Sequence, residues 1–410
     1  MSRKVSKKRS VTVSLADGAV FNIRLTFAGW YPYQVWRVFM RLSVKMLLAI
    51  LFVLSGISGI AQETPKSPWP WMPKELVLKL PLGENNPRNS EGDFLRLPNG
   101  DILCVYTRYY GTSLEDHATA NLASRRSTDG GKTWTTEDKI EVPNEGKLNV
   151  MSVTCRQLAN GQSFLFYLVK DAADDCRPYV RKLKEDGTWS ERICCIPDVS
   201  YNVLNNDRVI QLKSGRLLMP IGRHAKKGEG LYDHEWNADI FCMISDDNGE
   251  TWTRGGSVVK TEGIDYQEPG VCELSDGRIL MNIRTNGGCQ YYTYSEDDGQ
   301  SWGPAFPSCL DSPLSPTLIK RLPGSDELLA VGNPLLKNVA GGGSRVVMTI
   351  ERLSPDGQKV LVRKTLDHPE KITEDWQYPA IFFVDDNTIL VGYFSWSSGA
   401  YVYRMSLSDL

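Results

Sequence analysis

Residues 271–283 read VCELSDGRILMNI, and the meaning of this run decides the fold. Two stretches of β-formers flank Ser-Asp-Gly, whose short polar side chains and glycine reverse a chain, so the run reads as a β-hairpin. The plan returns as FLRLPNGDILCVY from Phe94, CRQLANGQSFLFYL from Cys155 and RVIQLKSGRLLMPI from Arg208. LIKRLPGSDELLAV from Leu318 and IFFVDDNTILVGY from Ile381 complete the set. Successive turns lie about 50 to 60 residues apart, room for roughly four strands per unit. Radial repetition leaves only short, protected sheet edges. The spacing therefore predicts an all-β fold, a six-bladed β-propeller of four-stranded antiparallel blades. Residues 62–410 carry no sustained helical period and are expected to form one domain. The Pro- and Trp-rich stretch 62–86 is expected to enter or close the ring.

A second pattern lies between some of the hairpins: STDGGKTW from Ser127, SDDNGETW from Ser245 and SEDDGQSW from Ser295. Short polar side chains there can bond the turn's own backbone, glycine supplies a positive φ, and tryptophan anchors the turn to apolar neighbours. These features describe a turn device, so Asp129, Asp247 and Asp297 are expected to be structural.

Charge and cysteine usage narrow the function classes. Residues 1–61 hold nine Lys and Arg and one acid, which leaves 38 basic against 48 acidic residues beyond them. An acidic domain is a poor partner for nucleic acid. Lys45 leads into MLLAILFVLSGISGIA and then Gln62, a basic flank, an apolar run and a small-residue end at Ala61. That pattern predicts a secretory signal peptide, with Met40 or Met46 as the start and a periplasmic or secreted product that stays out of the membrane after cleavage. An uncleaved anchor is the alternative. The nine cysteines include no CxxC pair, which excludes paired zinc knuckles and implies no disulfide framework.

The three turns match the Asp-box, or bacterial neuraminidase repeat. With the six hairpins, the chain resembles the sialidase superfamily over roughly residues 85–410. The resemblance implies a tyrosine nucleophile, a carboxylate that takes its proton, a carboxylic acid for the leaving group, and three arginines that grip a sugar carboxylate; no metal or other cofactor is required. EDHATANLASRR makes Asp116 the acid/base, with His117 at the rim; EPGVCELSDG makes Glu268 the proton acceptor. NIRTNGG and GNPLLKNVAGGGSRVVMTIERLS point to Arg284 and Arg345 as two of the arginines, and WQYPAIFFVDDNTILVGY makes Tyr378 the nucleophile. The sequence departs from the pattern at NSEGDFLRLPNG, where Glu91 stands in place of the first arginine and Arg88 lies three residues earlier. Glu91 in that position is expected to face Arg284 and Arg345. NNDRVIQL adds Asn205, Asn206, Asp207 and Arg208, with Asn206 and Asp207 expected to line the pocket and Asp207–Arg208 a structural ion pair as the alternative.

The resemblance implies an exo-glycosidase that retains configuration and acts on glycans ending in sialic acid or a related sugar acid. A propeller hydrolase or lyase for another sugar, or a non-catalytic carbohydrate-binding propeller, fits the same frame.

Overall fold

The computed structural model describes residues 8–14, 20–26, 67–226, 237–336, 345–368 and 375–410. Two compact units divide the chain, Met1–Glu63 and Thr64–Leu410. In the first, Lys8–Ser14 pairs antiparallel with Val20–Thr26. The apolar segment 46–61 lies outside the described residues. Among those described, no helix is long and apolar enough to cross a membrane.

The second unit is a six-bladed β-propeller, and each predicted hairpin forms the first two strands of a blade. Blade one comprises Asn89–Arg96, Ile102–Tyr109, Ala120–Ser127 and Lys139–Val142. Blade four, built from Tyr266–Glu273, Ile279–Thr285, Cys289–Ser295 and Phe306–Asp311, has the same order. Blade five runs from Leu318–Arg321 through Leu328–Gly332 and Met348–Leu353 to Val360–Asp367. Blade two runs from Asn149–Gln157 through Ser163–Ala172 and Asp175–Lys182 to the short Ile193–Cys194. In blade three the innermost strand is broken: Ser200–Val203 and Ile210–Gln211 pair with different parts of Leu217–Lys226, followed by Asp239–Ser245 and Thr253–Arg254. A parallel pairing of Cys176 with Tyr201 joins blades two and three into a nine-stranded sheet. Blade six takes Gln377–Phe383, Thr388–Ser395 and Gly399–Ser406 from the end of the second unit and Glu75–Leu80 from its beginning, so the Pro- and Trp-rich segment does close the ring.

Blades pack face to face, and their strands are apolar on both faces because both are covered. Phe164, Phe166 and Leu168 of blade two meet Leu217, Met219 and Ile221 of blade three. Phe94 and Ile102 of blade one meet Leu390 and Val402 of blade six. All nine cysteines are free and six are buried, small members of this packing.

Antiparallel order fixes which loops share an end. The start of every first strand and the second-to-third connections face the mouth; the first hairpins and the third-to-fourth turns face the opposite end. The Asp-boxes are third-to-fourth turns of blades one, three and four, so they lie away from the mouth. In blade three, Asp247 accepts hydrogen bonds from Ser245 Oγ (2.8 Å), the amides of Glu250 (3.1 Å) and Thr251 (2.9 Å), and Thr251 Oγ1 (2.5 Å). Asn248 and Gly249 both take positive φ, and Trp252 Nε1 donates to Gly249 O at 3.2 Å. In blade four the matching Gly299 has φ +82°, and a Cβ there would lie 2.8 Å from Leu218 of blade three. Glycine is therefore required twice at this position, by conformation and by the neighbouring blade.

Candidate active site

Three of the sequence-predicted site residues reach the mouth through one backbone device. Glu91, Glu268 and Tyr378 sit near the start of the first strands of blades one, four and six, with φ of 46°, 41° and 49°. Each lies where the pairing register shifts, between Ser90 and Asp93, Gln267 and Gly270, and Gln377 and Ala380. Ser152 of blade two does the same, with φ 55° inside a shift between Met151 and Thr154. A bulge re-aims a side chain and bends its strand, and positive φ in a non-glycine residue is strain that persists where surroundings enforce it. Pro269 and Pro379 follow Glu268 and Tyr378; proline has no N–H to give the ladder and is tolerated where pairing lapses.

These side chains open into a cavity of about 610 Å³, which also takes in Arg88, Asp116, His117, Lys170, His224, Arg284, Arg345 and Trp396. Tyr378 Oη donates to Glu268 Oε1 at 2.9 Å. Arg284 Nη1 donates to Glu268 Oε2 at 2.5 Å and to Tyr378 Oη at 3.5 Å. Arg284 is held beside the bulge because its strand pairs it with Gln267. Arg345 donates to Gln377 Oε1 and, at 3.0 Å, to Leu314 O, and its guanidinium lies 5.7 Å from the Tyr378 ring centre.

Burial alone would raise the Glu268 carboxyl, but the charge and hydrogen bond of Arg284, the charge of Arg345 and the Tyr378 hydroxyl hold it below its usual range. Burial and the Glu268 charge push the Tyr378 phenol well above its usual range, against both arginines. The pair is thus a neutral phenol bonded to a carboxylate, the arrangement of a nucleophile with its proton acceptor. Burial and the charge of Arg284 lower Arg345. Two guanidiniums that repel each other beside one cavity favour an anion between them.

Asp116 lies on the second-to-third connection of blade one. Its carbonyl accepts from Lys170 Nζ and Asn149 Nδ2 of blade two, both at 2.9 Å. Its carboxylate accepts from Arg88 Nη1 at 2.6 Å. Against the cost of desolvation, the charge and hydrogen bond of Arg88 and the charge of Lys170 keep this carboxyl below its usual range.

The structure differs from expectation at blade one and blade three. Glu91 pairs with Arg88 at 3.7 Å, rather than with Arg284 or Arg345. Arg88 does reach the cavity, and its guanidinium lies 3.9 Å from the Trp396 ring centre. Asn206 and Asp207 do not line the cavity. Asn206 Nδ2 donates to the carbonyls of Gly92 (2.8 Å), Tyr378 (3.3 Å) and Pro379 (3.2 Å), tying blade three to blades one and six. Asp207 pairs with Arg156 at 3.1 Å and Lys320 at 2.6 Å and accepts from Ile381 N at 3.0 Å. Its ion partners are these two cations, not Arg208, which is fully buried with Nε and Nη1 unpartnered.

Sequence reasoning missed Lys170, His224 and Trp396. Lys170 carried a signal, a lone charge closing the apolar run SFLFYLVK, and it is only 1% exposed. His224 carried none; burial lowers it to about 4, so it is neutral at neutral pH. Among the described residues no cluster of His, Cys, Asp or Glu could hold a metal ion.

A family described as the BNR repeat-like domain matches residues 100–393. A sialidase of Micromonospora viridifaciens is 27% identical over 356 residues, covering 79% of this chain and 54% of the relative. The chain spans 54% to 62% of the length of the first curated relatives it matches. Among solved structures, a Dyadobacter fermentans protein of unknown function superposes with a TM-score of 0.65 at 18% identity, covering 82% of this chain and 98% of that one. A Hadza microbial sialidase superposes with a TM-score of 0.63 at 19% identity, covering 79% and 66%. At such identities the structural likeness speaks for the propeller fold alone.

Proposed function

The chain belongs to the BNR repeat-like domain family of the sialidase superfamily, and from that premise we propose that its mouth cavity is the active site of an exported, retaining exo-glycosidase that removes a terminal acidic sugar from glycans. The contact that carries the reading is the 2.9 Å hydrogen bond from Tyr378 to Glu268, flanked by Arg284 and Arg345. Tyr378 Oη attacks the anomeric carbon as its proton passes to Glu268, and the bond to the leaving oxygen breaks. A neutral nucleophile is not repelled by an anionic sugar, whereas a carboxylate would be. Asp116 supplies the proton to the leaving oxygen and in the second step takes one from water, which attacks the anomeric carbon from the face the leaving group vacated as the bond to Tyr378 Oη breaks and Glu268 returns the proton to the phenol.

The hold of Arg88 on Asp116 has a kinetic consequence. Asp116 is ionised at rest, ready as a base for the second step, and acts as an acid in the first only from its protonated fraction. Since its carboxyl is lowered, that fraction is small at neutral pH and grows as pH falls. Cleavage of a glycoside with a poor leaving group should therefore rise on the acid side, while an activated aryl glycoside should show no such rise.

A fluorinated glycosyl inhibitor of an acidic sugar tests the reading: it should inactivate with time and leave its mass on the peptide containing Tyr378. Glycan binding without turnover or labelling would identify a carbohydrate-binding propeller instead. Export is supported by the apolar run ending at Ala61, and an exported form that retains residues 1–61 in mass spectrometry would refute it.

A further inference from the structure

We propose that Glu91 sets substrate specificity at the corner of the cavity beside Arg88: a sugar hydroxyl is accepted against it in either protonation state, a sugar carboxylate only when Glu91 carries a proton. This rests on the cavity being the sugar site proposed above.

Glu91 occupies the same bulge position as Glu268 and Tyr378, so its carboxyl is aimed at the cavity they share. It is 5% exposed, and its contacts with residues near it in sequence are a 3.3 Å hydrogen bond from Ser90 Oγ and the 3.7 Å approach of Arg88. Arg88 is already committed elsewhere. Nη1 gives its shortest bond to Asp116 and another, at 3.3 Å, to Leu114 O, and the guanidinium lies against Trp396. Its Nη2 comes no nearer than 3.7 Å to Glu91, so it only partly neutralises Glu91.

The other groups acting on Glu91 come from every side. Asp116 on the mouth loop and Glu268 of blade four oppose its ionisation, and Lys170 of blade two favours it, with its ammonium directed to the Asp116 carbonyl. Burial is the largest influence and, with the two carboxylates, raises Glu91 against Arg88 and Lys170. An ionised Glu91 meets a ligand carboxylate as a like charge, whereas the protonated form donates a hydrogen bond to it. A hydroxyl can donate to the first form and accept from the second.

The test is calorimetric titration of the full chain with two glycals identical except that one bears a ring carboxylate and the other a hydroxymethyl group. For the wild type, the carboxylate glycal should weaken at least about tenfold between about pH 5.5 and about pH 8, and the hydroxymethyl glycal less than about threefold. The amide of Glu91→Gln donates as the protonated acid does. That variant should bind the carboxylate glycal at about pH 8 at least about tenfold more tightly than wild type, with the pH dependence gone. Should Glu91→Gln fail to fold, wild-type titrations in buffers of different ionisation enthalpy serve instead. Uptake of up to about one proton with the carboxylate glycal and none with its partner is expected. Carboxylate binding that is independent of pH and unchanged in Glu91→Gln, or no binding of either glycal, would overturn the proposal. Labelling of Tyr378 is read separately: an unlabelled Tyr378 beside the expected binding pattern would end the hydrolase reading and leave Glu91 standing.

Discussion

Left-handed residues mark both ends of the propeller, and the two ends use them differently. At the Asp-box end they sit in turns, at Gly130 and Gly131, Asn248 and Gly249, Asp298 and Gly299, where glycine, asparagine and aspartate take the conformation at least cost and the box's own aspartate is consumed by its turn. At the mouth they interrupt strands, and Glu91, Ser152, Glu268 and Tyr378 hold side chains that a cavity can use. The conformation is shared; one end minimises its cost, and the other retains the cost together with the side chain.

The strongest challenge to this contrast is Tyr378→Phe. If the mouth is catalytic, turnover should drop by roughly 10³-fold or more, while stability changes by no more than about 1 kcal/mol, since one hydroxyl is lost. Near wild-type turnover would make Tyr378 another strained packing residue.

Gly299→Ala reverses the expectation. A Cβ at positive φ, 2.8 Å from Leu218, should destabilise by about 2–4 kcal/mol in chemical denaturation, with kinetic constants of the folded fraction unchanged. A fall in turnover without a fall in stability would mean that the two ends are coupled.

Asp247→Ala should be milder, about 1 kcal/mol, because the site is exposed and water replaces part of what is lost. The hydroxyl and amide of Thr251, with Ser245 and the Glu250 amide, hold this carboxyl at about 2. A carboxyl lowered on folding contributes above its unfolded pKa of about 4 and loses that contribution as pH falls toward about 2. The variant should therefore lose less stability than wild type across that acid range, as thermal melts would show.

Ser152→Gly is the finest test. It keeps the amide that donates to Thr107 Oγ1 at 3.1 Å and removes the Cβ strain, so stability should rise by about 0.5 kcal/mol. A loss would show that the serine side chain is needed where it stands.

How far the sequence could be read follows from the range of each interaction. The hairpins and Asp-boxes were legible because glycine, asparagine and aspartate turns act within a few residues, and six similar units imply a ring. Tyr378, Glu268, Asp116, Arg284 and Arg345 were placed by resemblance, and one cavity contains them. Arg88 was not legible as a cavity residue, because its course depends on Trp396 from the far end of the chain and on a loop carboxylate. Asp207 failed for a local reason: its left-handed φ of 56° lies where the inner strand of blade three is broken, and its carboxylate is directed to Arg156 and Lys320. Side chains alternate between faces along a strand, so a one-residue irregularity is enough to undo such an assignment.

Blade six pairs Leu80 with Ala400. A ring fastened by its first and last strands cannot be completed until its last strand has been synthesised. Five blades can form from neighbouring segments, but the contact that closes the sixth is the most distant in sequence and thus slowest to form, so Glu75–Leu80, made first, waits for the edge at Gly399–Ser406. Until it arrives, the nascent molecule exposes an unpaired strand able to template association with other chains. The final folding event is therefore also the one that protects the protein from its own copies.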